Sequence, residues 1–116
     1  MMKNGVPIPV HEDAPSIYAP IHEDDIIRMI PGLLDAAAVP APTLNWCGQD
    51  HVSIEEWTAY LSELTGLEPK LEPTEQTIES VRTDNSKLQA LVGAATVDWK
   101  DGFRRMIEAR HPGWLK

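Results

Sequence analysis

Tyr18-Ala-Pro-Ile-His-Glu-Asp-Asp-Ile26 is the stretch in which extended chain gives way to helix, and the fold follows from that change. Residues 17–21 read as a short extended stretch that ends at His22. Asp24 and Asp25 then stand where the first turn of a helix favours carboxylates, against the positive end of the macrodipole. Ile26, Ile27, Ile30, Leu33 and Leu34 supply an apolar face, which predicts a helix over 23–38. Pro31 lies inside it, and either kinks the helix or restarts it as the first residue of a second piece. Val39-Pro-Ala-Pro42 ends it.

Upstream, Gly5-Val-Pro-Ile-Pro-Val10 alternates proline with β-branched residues. This suits an extended edge segment and excludes a central strand, because proline offers no donor to a ladder. Downstream, Thr43-Leu-Asn-Trp46 reads as a short buried strand, followed by a turn glycine at Gly48. Ser53-Ile-Glu-Glu56 has the form of a capping box. The helix it opens runs to Thr65, with Ile54, Trp57, Leu61 and Leu64 on one face and Gly66 placed to supply a left-handed stop. Residues 67–83 carry a weaker pattern: 70–72 suit a short strand, and 75–81 fit either a turn of helix or an extended stretch. Asp84 is placed to cap a helix that reaches Val92, with Gly93 behind it. Trp99, Phe103, Met106 and Ile107 define a last amphipathic helix that ends before Pro112. Three to four helices with a few short strands make a mixed α/β chain.

Composition narrows the function classes. The 116 residues suit one small domain, and ten prolines divide them into short pieces, which argues against a simple helical bundle. A formal net charge of -8 is unfavourable for nucleic acid, whose affinity for proteins is built largely from Lys and Arg on phosphate. From Asp98 onward five basic residues stand against three acidic ones, so the tail is locally positive. A single cysteine, Cys47, forms no internal disulfide and suits a reducing, cytoplasmic setting. The first residues have no apolar core of a signal peptide, and no run of about 18 apolar residues is present to span a membrane.

Taken in order, the Tyr18 stretch, Thr43-Leu-Asn-Trp-Cys-Gly48, Asp84-Asn-Ser-Lys87 with Leu91-Val-Gly93, and Trp99-Lys-Asp-Gly-Phe103 resemble the C-terminal part of an extended short-chain dehydrogenase/reductase, the NAD-dependent epimerase/dehydratase family. The resemblance runs from Gly5 to about Arg110. It implies a C-terminal fragment of a Rossmann-type enzyme without a complete Rossmann sheet. Residues 5–41 and 67–83 would be substrate-lobe segments, 42–66 a late sheet strand and its helix, and 84–116 the C-terminal helices. For a complete family member it implies NAD or NADP and a small-molecule substrate. For this chain it implies an N-terminal Rossmann half as partner, or self-association through the faces that half would cover. The alternatives are a standalone protein-interaction or dimerisation module derived from that lobe, or a truncated product without retained activity.

The same comparison supplies candidate sites. His22-Glu-Asp-Asp25 resembles the family's His-x-x-Asp strand-to-helix junction, which lies near the domain interface and helps to shape the substrate cleft. His22 and Asp25 are therefore candidate substrate-binding residues, although Asp25 also reads as a helix cap. Arg82 is isolated in an acidic segment and is the third candidate, as an anion clamp or as half of a surface ion pair with Glu79 or Asp84. The diphosphate-binding arginine of the family's nucleotide-sugar epimerases would fall near Pro73-Thr-Glu75, where none stands, so the substrate is left open. Lys100, Arg104 and Arg105 suit a solvated helix face or an anionic partner. The echo between His11-Glu-Asp13 and His22-Glu-Asp-Asp25 invites a metal reading, but adjacent residues do not converge on one ion. No glycine-rich dinucleotide loop is present, and neither Tyr18 nor Tyr60 is followed four residues later by lysine. The chain by itself is expected to hold no cofactor, no metal and no catalytic residue.

Overall fold

A computed structural model describes residues 1–13 and 15–116. Its helices start where polar side chains can satisfy the free amides of a first turn. The first, α1, spans Glu23–Asp35 and passes through Pro31 as one helix. Ile27 is 65% exposed, so the carbonyl that loses its donor at Pro31 can be hydrated. The helix stops before the expected residue 38: the Ala36 amide donates to the Gly32 carbonyl and the Ala37 amide to that of Leu34 in a closing turn, and the prolines ahead disfavour helical residues before them.

Among the described residues four short strands make two separate two-stranded sheets. β1 (Ile8–His11) pairs in parallel with β4 (Leu71–Thr74), Ile8 opposite Leu71 and His11 opposite Thr74. Pro9 and Pro73 each sit in this ladder, which is possible because both strands are edges. β2 (Ile17–Tyr18) runs antiparallel to β3 (Val52–Ser53), with Ile17 opposite Ser53. Residues 43–46, expected as a buried strand, are largely exposed and pair with no strand. A strand exists through its partner, and here side chains take that place: Asn45 donates to the Asp84 carbonyl and Asn85 to the Cys47 carbonyl. Gly48 serves no left-handed turn. It is buried, and a Cβ on it would stand 2.0 Å from the Pro20 carbonyl oxygen, so glycine is needed there for close approach.

α2 (Ile54–Thr65) follows β3 directly, with both bonds of the expected capping box formed and Gly66 closing it at φ 74°. α3 (Ser86–Val92) begins one residue later than expected: Asn85 is at the cap position, while Asp84 accepts from the Ser86 amide at 2.9 Å. Residues 75–81 are neither helix nor strand, with bends at 75–77. α4 (Trp99–Arg110) is capped by Asp98, whose carboxylate accepts from the amides of Lys100 and Asp101.

The helices pack in pairs. α1 meets α3 at Gly32, where a Cβ would come within 2.8 Å of Val92 Cγ1. α2 meets α4 through aromatic rings: Trp57 stacks on Phe103 at 5.4 Å, and Tyr60 meets the edge of Trp99 at 5.6 Å. The buried apolar side chains are few, among them Ile8, Val10, Met29, Val52, Leu88 and Ile107. Among the described residues no His, Cys, Asp and Glu side chains are grouped to hold a metal ion, and no helix is long and apolar enough to cross a membrane.

With so thin a core, a helix cap is a large fraction of the stability. Ser53→Ala removes the side-chain half of the capping box and is expected to cost about 1 kcal/mol. Urea unfolding followed by circular dichroism measures it. Ser53→Asp, which keeps an acceptor, should lose less.

Candidate functional site

The extended chain that ends at His22 and the helix that begins at Glu23 place three consecutive kinds of polar group at one corner. His22 is the N-cap of α1: its Nδ1 accepts the Asp24 amide at 3.1 Å. Asp24, at the exposed start of the helix, is ion-paired with Arg105 of α4. That hydrogen bond, and the charge behind it, raise the Arg105 pKa. Asp25 turns inward and is fully buried.

Asp25 is not a helix cap. Its carboxylate accepts from the amides of Thr96 and Val97, each at 2.9 Å, and from the Thr96 hydroxyl at 2.9 Å. The Arg28 guanidinium adds Nε at 3.1 Å and continues to the carbonyls of Val92 and Ala94, at 3.2 and 2.9 Å. One buried charge thus fixes the loop that joins α3 to α4. Burial alone would raise the Asp25 pKa. The amides of Val97 and Thr96, the Thr96 hydroxyl and Arg28 outweigh it and hold the pKa at about 2, below the usual 3.8.

Between the start of α1 and one side of α4 lies an open cavity of about 420 Å³. Its walls are mainly apolar, from Ile21, Ile26, Trp99, Phe103 and Met106. His22, Glu23, Asp24, Arg105 and Arg110 add charge at its edges. The volume is in the range of small-molecule sites. Gly102 lies beneath it: a Cβ there would stand 3.2 Å from His22 Cδ2. Glycine in mid-helix costs about 1 kcal/mol relative to alanine, and that cost is the sequence signal from which this contact could have been found.

Of the three candidates from sequence, His22 lines the cavity, Asp25 lies behind it, and Arg82 belongs elsewhere. Arg82 is exposed on residues 81–83, whose neighbours are β2 and His51: the Val81 amide donates to the Ile17 carbonyl, and the Thr83 amide to His51 Nε2. Among the described residues no ion pair joins it to Glu79 or Asp84. The basic face of α4 is not simply solvated. Arg104 bridges Asp101 and Glu108, and Lys100 lies 5.5 Å from both the Tyr60 and Trp99 ring centres.

No family model matches the sequence, and the search of curated proteins found no match. Solved structures do match. The UDP-glucuronic acid 4-epimerase of Bacillus cereus, in complex with UDP-glucuronic acid and NAD, aligns at TM-score 0.70 and 21% identity, over 89% of this chain and 34% of that one. MoeE5, in complex with UDP-glucose and NAD, aligns at TM-score 0.70 and 24% identity, over 90% and 36%. The UDP-glucose 4-epimerase of Thermotoga maritima, with UDP-glucose, aligns at TM-score 0.69 and 19% identity, over 92% and 38%. At these identities the likeness establishes the fold. The chain spans about a third of the length of each of these proteins.

The Asp25 network carries its own pH signature. A carboxyl held at about 2 when folded, below its usual 3.8, contributes stability that is present above pH 4 and is lost as pH falls toward 2. The shift corresponds to about 2 kcal/mol. Asp25→Asn is expected to remove that dependence and to lower stability at neutral pH by about 2 kcal/mol, as measured by urea unfolding at a series of pH values.

Proposed function

We propose that this chain is the substrate-binding part of an NAD(P)-dependent epimerase- or dehydratase-like oxidoreductase and does not catalyse alone. The observation that carries the reading is the match of nine-tenths of the chain to about a third of NAD-bound epimerases. The chain has no glycine-rich loop to seat a pyrophosphate at a helix N-terminus and no Tyr-x-x-x-Lys pair. Its own contribution would be binding and orientation at the His22 corner, with hydride chemistry supplied by a nicotinamide held elsewhere.

Shape and surface favour the same reading. The molecule is a slab of 49 × 35 × 17 Å with a radius of gyration of 16.5 Å, against about 13 Å for a compact chain of this length. It exposes 7558 Å², against about 6,300 Å² for a monomer of its mass. The surplus exceeds what one partner contributes to a standard interface, about 800 Å². An apolar ridge accounts for part of it: Ile27, Ile30 and Leu34 stand exposed along α1, Leu34 at 70%, with Val39 and Leu91 also uncovered. Beside Leu91 and Leu33 lies a shallow hollow of about 280 Å³, lined also by Pro42 and Leu44. A cofactor-binding half with an apolar sheet face would cover this ridge. The ridge equally suits a second copy, which is the interaction-module reading.

Two measurements on the chain alone separate these readings. Titration with NADH and NADPH, followed by nucleotide fluorescence, is expected to show no binding and no turnover. Either tight binding or hydride transfer without a partner overturns the proposal. Analytical ultracentrifugation should give a monomer at micromolar concentration that binds a hydrophobic dye, with less dye bound by Ile27→Asp and Leu34→Asp. A well-defined dimer that these substitutions dissociate supports the interaction module instead.

A further inference from the structure

We propose that His22 is a proton-operated cap: when its imidazole is protonated, Asp24 exchanges its partner from Arg105 of α4 to His22, and the corner between α1 and α4 is released. The inference concerns this corner alone and is independent of what the complete enzyme transforms.

The acceptor role of Nδ1 sets the starting state. An imidazole nitrogen that accepts the Asp24 amide at 3.1 Å carries no proton, so the neutral ring is the Nε2–H tautomer. Protonation turns that acceptor into a donor and breaks the cap. It also places a cation at the positive end of α1, where charge of that sign is unfavourable. The nearest relief is the Asp24 carboxylate, whose Oδ2 lies 3.8 Å from Nδ1. That same oxygen is the one bound by Arg105, so a protonated ring there repels the guanidinium and draws on the single negative charge that holds it.

The surroundings leave the ring little other choice. Its side chain is 14% exposed, and Gly102 of α4 is packed close beneath it. The charged groups around it are Glu23 and Asp24 on its own helix, and Arg105 and Arg110 from α4 across the cavity. Asp25 is fully engaged with Thr96, Val97 and Arg28. Among the described residues Arg105 then retains only Asp101, with its NH1 group 3.9 Å from that carboxylate, so loss of Asp24 frees most of its guanidinium at the cavity edge.

The echo between the two His-Glu-Asp segments provides an internal control. His11 Nδ1 accepts the Asp13 amide at 3.2 Å in the same two-residue pattern, but among the described residues no arginine is paired with Asp13.

Nitrogen-15 spectra of the labelled chain, taken from about pH 8 to about pH 5, test the proposal. Expected at the upper end is an unprotonated Nδ1 on His22 and on His11. On acidification the Arg105 side-chain signal should move with the same midpoint as His22. In His22→Asn, whose side chain caps without titrating, Arg105 should stay in its paired position throughout. In Asp24→Asn it should sit in the released position throughout. An Nδ1–H tautomer of His22 at the upper end overturns the proposal, as does an Arg105 signal that ignores the His22 titration. Both of those readings come from the unsubstituted chain and do not depend on either variant folding.

Discussion

The buried Asp25 carboxylate is the interaction on which the arrangement depends. It belongs to the first turn of α1, yet its partners are Thr96 and Val97 in the link to α4. Through Arg28 the same cluster reaches the carbonyls at the end of α3. Two helices that are distant in sequence from α1 are therefore positioned by one charge. A buried carboxylate without such donors would cost several kcal/mol. Here each oxygen is met by amide donors, so the charge is kept and the loop is fixed.

The cavity follows from that geometry. Once Val97 is fixed by Asp25, α4 must start beside His22, and Gly102 allows the two to approach. The ring of His22 then closes the top of α1 while Asp24 and Arg105 hold the sides together. The apolar walls come from the outer edge of the aromatic group that joins α2 to α4. Binding surface and helix packing are thus the same residues, which is why a structural corner is also a concavity of small-molecule size.

Local chemistry was legible in the sequence and long-range pairing was not. Ser53 and Glu56 announce α2 because both partners of the capping box lie within four residues, and Gly66 marks its end for an equally local reason. α4 was legible for the same cause. The strand expected at 43–46 failed because a strand depends on a neighbour that no local pattern reveals. β3 at Val52–Ser53 is too short to have a period, and exists only because β2 lies beside it. His22 and Asp25 were found as a pair through the strand-to-helix junction, but their division of labour was not visible. Which one caps and which one turns inward depends on amides more than seventy positions away. Gly48 looked like a turn and proved to be a contact with the Pro20 carbonyl. Arg82 had Glu79 and Asp84 as near sequence neighbours, yet among the described residues it pairs with neither, and the fold places it away from the cavity.

Hydrogen exchange at the amides of Thr96 and Val97 tests the role of Asp25 most directly. Both lie outside helices and strands, where amides ordinarily exchange freely. Bound to a buried carboxylate, they should be protected like amides of the helix interiors, and their protection factors should fall as pH drops toward 2. Exchange at the rate of an open loop at neutral pH, in an otherwise folded chain, would contradict the account.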